Sequence, residues 1–200
     1  MQIIRTLGVI TASGVAIWGV NKWKREVQWK RKYELAEEVL SLFYEAKDHL
    51  RMIRNPLSSG SEGSSRKINE NETKEEKEAL DRSYVFYERY EKVSDRFNNL
   101  RKLKYRFMAL FGDDSVEPFL YLEKLLGEIM NAAFILGQHY WRAGERAHLP
   151  DDAKEKHFEE MRKYESKVWS GIENPDPIES KLEVLIKRIE KICKPVIMKD

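Results

Sequence analysis

The chain has a single cysteine in 200 residues, Cys193. That excludes an internal disulfide and a zinc-type cysteine cluster, and it fits a reducing cytosol. Its neighbours Ile189, Ile192 and Pro195 mark a packed or terminal thiol rather than an activated nucleophile. Also missing are a His-Glu-x-x-His pair and a glycine-rich loop able to cradle phosphate. No stretch alternates with period two, so no sheet is expected. Of the four histidines (His49, His139, His148, His157), only His148 completes a Glu-x-x-His, with Glu145, where a ferritin-like di-iron centre needs two such pairs and two further carboxylates. Glu45 and His49 share a helix face at the wrong spacing, and the adjacent acids Glu75/Glu76 and Glu159/Glu160 belong to solvated faces. The sequence therefore predicts no catalytic residue, no metal ligand and no cofactor.

What the chain has instead is an uncharged run over residues 6–21 (TLGVITASGVAIWGVN), 16 residues long. As a helix it spans about 24 Å at ~1.5 Å per residue. A bilayer core of about 30 Å is reached by adding residues 1–4, with Arg5 snorkelling to the headgroups. Trp18 and Trp23 fall where interfacial indoles are favoured. Residues 22–32 (KWKREVQWKRK) follow at once, with six cations against Glu26, net +5. Such a cluster resists translocation, and no small-x-small cleavage site follows the apolar run. The expectation is an uncleaved single-pass anchor, residues 1–21, in a cell inner membrane. The N-terminus lies outside, and a cytoplasmic domain over 33–200 follows the juxtamembrane neck. Lys22, Trp23, Lys24, Arg25, Trp29, Lys30, Arg31 and Lys32 are expected at anionic lipid headgroups. Gly8, Ala12 and Ala16, at intervals of four, form a small-residue face on which two such helices could pair. Residues 33–200 carry net −4 and are expected to hold no local Lys/Arg cluster, which argues against a nucleic-acid partner.

Beyond the neck the pattern is helical throughout, and the fold class expected is all-α. Leu35, Val39, Leu42, Ala46, Leu50 and Ile53 keep helical spacing, so the membrane helix should run on into the domain and stop at Arg54-Asn55-Pro56. Residues 57–71 (LSSGSEGSSRKINEN) read as a flexible polar loop. Thr73 with Glu76 opens a second helix as a capping box, and Gly112 closes it. A third helix should begin after Ser115, with a seam of Phe119, Leu122, Leu126, Ile129, Ala133, Leu136 and Tyr140, and end at 144–148. A fourth, 152–169, should turn Phe158, Met161 and Val168 inward. Asp176, Pro177 and Glu179 fit the N-cap, N1 and N3 positions of a fifth, whose seam is Ile178, Leu182, Leu185, Ile189 and Ile192. These lengths predict an elongated antiparallel bundle of three long matched helices, with two shorter C-terminal helices as buttresses.

Two clusters stand out as possible partner contacts. Asp48, Arg51 and Arg54 close the first bundle helix at steps of three, suited to an ion pair and to the helix C-terminus. Trp141 and Arg142 end the third among large amphipathic side chains of a type enriched in interfaces. Asn71-Glu72-Thr73 matches a glycosylation sequon, which has no meaning for a cytosolic domain.

The N-terminal span, the neck with Trp23 and Trp29, the Arg51-x-x-Arg54-Asn55-Pro56 helix end and the Leu110-Phe111-Gly112 turn resemble uncharacterised bacterial membrane-anchored helical proteins. The resemblance implies a bacterial inner membrane and no assigned activity. The function expected is a non-enzymatic, membrane-anchored interaction module with a protein partner or a second copy of itself. A membrane-active effector of toxin or phage-defence type is the alternative, and a bundle-cored metalloenzyme or hydrolase the third.

Overall fold

The computed structural model describes the backbone of residues 2–142 and 150–198, with side chains from Trp18 onward within those ranges. Among the described residues there are five α-helices and no strand: α1 (Gln2–Ile53), α2 (Lys74–Phe111), α3 (Glu117–Ile135), α4 (Asp151–Val168) and α5 (Pro177–Ile197). The 3-10 turn Asp113–Val116 leads into α3, and a five-residue π turn, Leu136–Tyr140, prolongs it.

Local chemistry sets most of the helix ends. Thr73 Oγ1 accepts from the Glu76 amide at 3.2 Å while the Glu76 carboxylate accepts from the Thr73 amide at 3.0 Å, a reciprocal cap for α2. Asp176 Oδ1 accepts from the Ile178 and Glu179 amides at 2.9 and 3.0 Å, with Pro177 in the first turn of α5. α1 is one helix of 52 residues and stops three residues before Pro56. The uncharged run, the neck and the first bundle helix therefore share a single axis.

α1 packs between α2 and α5, both antiparallel to it. At the neck end Lys32 Nζ lies 5.6 Å from the Phe111 ring; at the far end Arg89 of α2 reaches the Ile53 carbonyl. Down the other side Arg51 pairs with Glu179, and Tyr44 donates to Glu190 at 2.7 Å. Phe43, Leu50, Phe86, Phe107, Ile129 and Leu182 are fully buried. Phe119 stands edge-on to Phe43 at 5.0 Å and lies 5.4 Å from Phe107, which ties three helices into one cluster.

Four expectations need correction. α3 has 19 residues and its π turn 5, against 38 in α2, so the long helices do not match. α5 accordingly acts as a full member of the bundle rather than a buttress. Helical bonding of α3 closes at Trp141, whose amide donates to the Leu136 carbonyl, and residues 144–148 lie outside those described. Phe158 is 44 % exposed; Met161 and Val168 do face inward. Lastly, the 57–71 loop is pinned rather than loose. Arg89, its side chain 5 % exposed, bonds the Asn55 carbonyl at 2.6 Å, the Leu57 carbonyl at 2.7 Å and Glu62 at 2.6 Å. Arg66 joins Asp81 at 2.6 Å and also holds Glu72, whose carboxyl it draws down to about 2. That contribution is complete above the ordinary glutamate value of about 4.3 and is lost as pH falls toward 2.

Gly137 sits where α3 meets α2. A β-carbon there would press into Ser83 Oγ and lie 2.6 Å from Ser83 Cβ. Ser83 is itself buried, so neither helix can yield. Gly137→Ala should therefore destabilise the bundle by about 1–3 kcal/mol, outweighing alanine's helix propensity of about 1 kcal/mol. Chemical denaturation checks this; an unchanged or raised midpoint would refute the close approach.

Candidate functional site: the basic neck

From Trp18 to Lys32 every residue of α1 is exposed except Val27, which is half-buried. Lys32 reaches the Phe111 ring at the edge of the bundle, and before it the helix runs on largely uncovered. Trp18, Trp23 and Trp29 are 61 %, 63 % and 45 % exposed, unusual for indoles in water. Among the described residues their supports are local: Lys22 Nζ stands 5.5 Å from the Trp18 ring, and Trp29 leans on Tyr33 at 5.4 Å.

The cations are distributed around the axis. At about 100° per residue, Lys22, Lys24 and Arg25 point to different sides, and Lys30, Arg31 and Lys32 do so again. A helix lying along a bilayer would confine its cations to one face. A ring on all sides suits a helix passing upright through a layer of anionic groups. Lys22–Glu26 at 3.9 Å and Lys30–Glu34 at 3.8 Å are exposed i,i+4 pairs, each worth about 0.3–0.5 kcal/mol. Lys24, Arg25 and Arg31 have no ion pair among the described residues, so most of the neck's positive charge is not neutralised by neighbouring acids.

The other sequence-predicted residues separate. Arg54 is wholly buried, its guanidinium held by the Ser166, Lys167 and Trp169 carbonyls and by Asp176. Trp141 is 7 % exposed, with its Nε1 donating to Glu165 at 2.8 Å and the Arg82 guanidinium 4.2 Å from its ring. Both side chains are taken up inside the bundle. Asp48 and Arg51 stay near the surface, 3.7 Å apart, and Arg142 joins Glu76 at 3.1 Å. Gly8, Ala12, Ala16 and most of the span fall outside the residues whose side chains are described. Among the described residues no helix is long and apolar enough to cross a membrane.

No three of His, Cys, Asp or Glu among the described residues gather as a metal site, and Glu145 and His148 lie outside them. Cys193 is buried, which pushes its thiol up to about 12 and leaves it protonated and unreactive.

A second basic segment escaped the whole-domain charge count. Residues 96–111 hold Arg96, Arg101, Lys102, Lys104 and Arg106 and no acid, net +5. The signal was available to a tally over a short window, and was hidden by the −4 of the domain around it.

No family model, curated protein or solved structure matches this chain.

Proposed function

We propose that this chain is a membrane-anchored helical interaction module. Residues 1–21 cross a bacterial inner membrane, the neck binds anionic headgroups, and the bundle presents a cytoplasmic surface to a protein partner or a second copy. The observation that carries this reading is the continuity of α1. An uncharged segment, an exposed basic helix studded with tryptophan and a bundle helix follow one another without a break. Six cations at about 1 kcal/mol each near an anionic surface supply several kcal/mol of attraction, set beside the burial of the uncharged run. The cations also orient the module with the bundle inside.

The test is fractionation. Full-length protein should stay with the membranes through an alkaline carbonate wash, while the chain lacking residues 1–21 should be recovered in the soluble fraction. Retention of the shortened chain on washed membranes would remove the anchor from the account. A milder prediction concerns the neck: Lys24→Glu with Arg31→Glu should leave the carbonate resistance intact. The same pair should raise the fraction of molecules inserted in the reverse orientation, read by protease protection of the bundle.

A further inference from the structure

The C-terminal turns of α2 carry a face that the neck's role leaves unused. Lys102, Tyr105, Arg106 and Ala109, at steps of three and four, form one exposed strip with Arg101 at its edge. Lys102 and Arg106 have no ion pair among the described residues, and Tyr105 is 66 % exposed. Arg96 and Lys104 are engaged with Glu45 at 3.6 Å and Glu123 at 3.2 Å. We propose that this strip is the docking surface for a short acidic segment of a partner protein. The proposal rests on the anchored arrangement above, because the anchor decides what the strip can reach.

Height excludes the lipid. Phe111 lies level with Lys32, eleven residues beyond the end of the span, or about 16 Å of helix rise. α2 runs back away from the membrane, which puts Arg106 and Lys102 about 24 and 30 Å above it. Even at a tilt of about 40° Arg106 stays roughly 18 Å away, against a Debye length of about 8 Å. The turn nearest the bilayer carries exposed Asp113 and Asp114, which anionic headgroups would repel.

The ends of the strip decide between macromolecules. Asp95 and Glu91 continue the same face two and three turns N-terminal to Lys102, and Asp113 and Asp114 close the other end. The free basic length, 98–109, rises about 16 Å, matching roughly five extended residues at ~3.3 Å each. A nucleic-acid backbone would overrun the strip and meet carboxylates on both sides. Exposed tyrosine between arginine and lysine is also the composition favoured in protein interfaces.

The experiment uses full-length protein in phosphatidylcholine nanodiscs doped with phosphatidylserine, titrated with a fluorescein-labelled peptide of repeated Asp-Glu-Leu. Binding should weaken at least tenfold in Lys102→Glu/Arg106→Glu and survive in Lys102→Arg/Arg106→Lys. It should be unchanged in Lys156→Glu/Lys187→Glu, an equal charge reversal at exposed positions on α4 and α5. Equal peptide affinity for the α2 variant and wild type would overturn the proposal. So would single-stranded DNA competing more strongly than unlabelled peptide, or the α2 variant losing affinity for phosphatidylserine. Failure of the anchor shows separately, as wild-type protein that does not enter the nanodiscs. The peptide titration then runs on the same full-length chain in detergent.

Discussion

Replacing Arg54 with methionine is expected to cost about 3–5 kcal/mol, enough to leave much of the protein unfolded at physiological temperature. The guanidinium is fully buried at the point where three helix ends meet. It donates to the Ser166 and Trp169 carbonyls at 2.9 and 3.1 Å and to the Lys167 carbonyl at 2.9 Å, all orphaned at the end of α4. It also grips Asp176, the N-cap of α5, at 2.9 and 3.0 Å. The Arg54 carbonyl meanwhile accepts from the Ser170 amide at 2.9 Å. Methionine would fill the space and leave a half-buried carboxylate and three carbonyls without their donor. Lysine should rescue little, since one ammonium cannot reach four acceptors in a fork. Urea denaturation followed by circular dichroism measures the loss; a cost under about 1 kcal/mol would show that the end of α1 is not clamped there. The same pair sets an acid limit. Burial raises the Asp176 carboxyl, but the Arg54 bonds and the Glu179 and Gly171 amides pull it further the other way, leaving it below the ordinary aspartate range. A lowered carboxyl contributes stability that is complete above its unfolded value of about 3.9 and disappears as pH falls through the folded one. Thermal midpoints should therefore fall below about pH 4 in the wild type, and less steeply in Arg54→Met.

Gly63→Ala is expected to cost at least about 2 kcal/mol although it adds one methyl to a surface loop. Gly63 has φ of +86°, a conformation L-residues rarely adopt, and a β-carbon would collide with the Asp81 carbonyl oxygen and lie 3.1 Å from Val85. Its amide donates to Glu88 at 2.8 Å, so relief of the collision breaks that bond as well. Gly60 is the control: a methyl group added there would meet no heavy atom within 4 Å, and its φ is not positive, so alanine should be neutral or slightly stabilising. Similar midpoints for the two variants would contradict the close docking of the loop on α2.

The features legible in the sequence are those whose causes are local. Thr73 with Glu76, Asp176 with Pro177 and Glu179, and Pro56 after Ile53 each act within a few residues, and each marks a helix end where expected. The burial of Arg54, Arg66 and Arg89 was not legible. Cations in a highly charged chain read as solvated, and the acceptors that bury them are distant, Asp176 lying 122 residues from Arg54. The pinned loop follows from the same omission, since its Ser and Gly content says nothing of Arg89 reaching across from α2. Phe158 misled because helical spacing alone does not distinguish an inward aromatic from one on a short, weakly covered helix. The neck was legible in full as composition. Its exposure on every side was not, because that depends on where α2 and α5 end.

Cysteine accessibility along α1 tests the anchored arrangement most directly. The native Cys193 is fully buried and protonated, so it contributes little background. Single cysteines placed along residues 6–35 of the full-length protein in sealed inside-out vesicles, which turn the bundle outward, would be challenged with a membrane-impermeant maleimide. The account predicts protection across 6–20, labelling from 22 onward around all sides of the helix, and no return of protection before Leu35. Even labelling across 6–20 would contradict it, and so would a periodic pattern repeating every three to four residues through the neck.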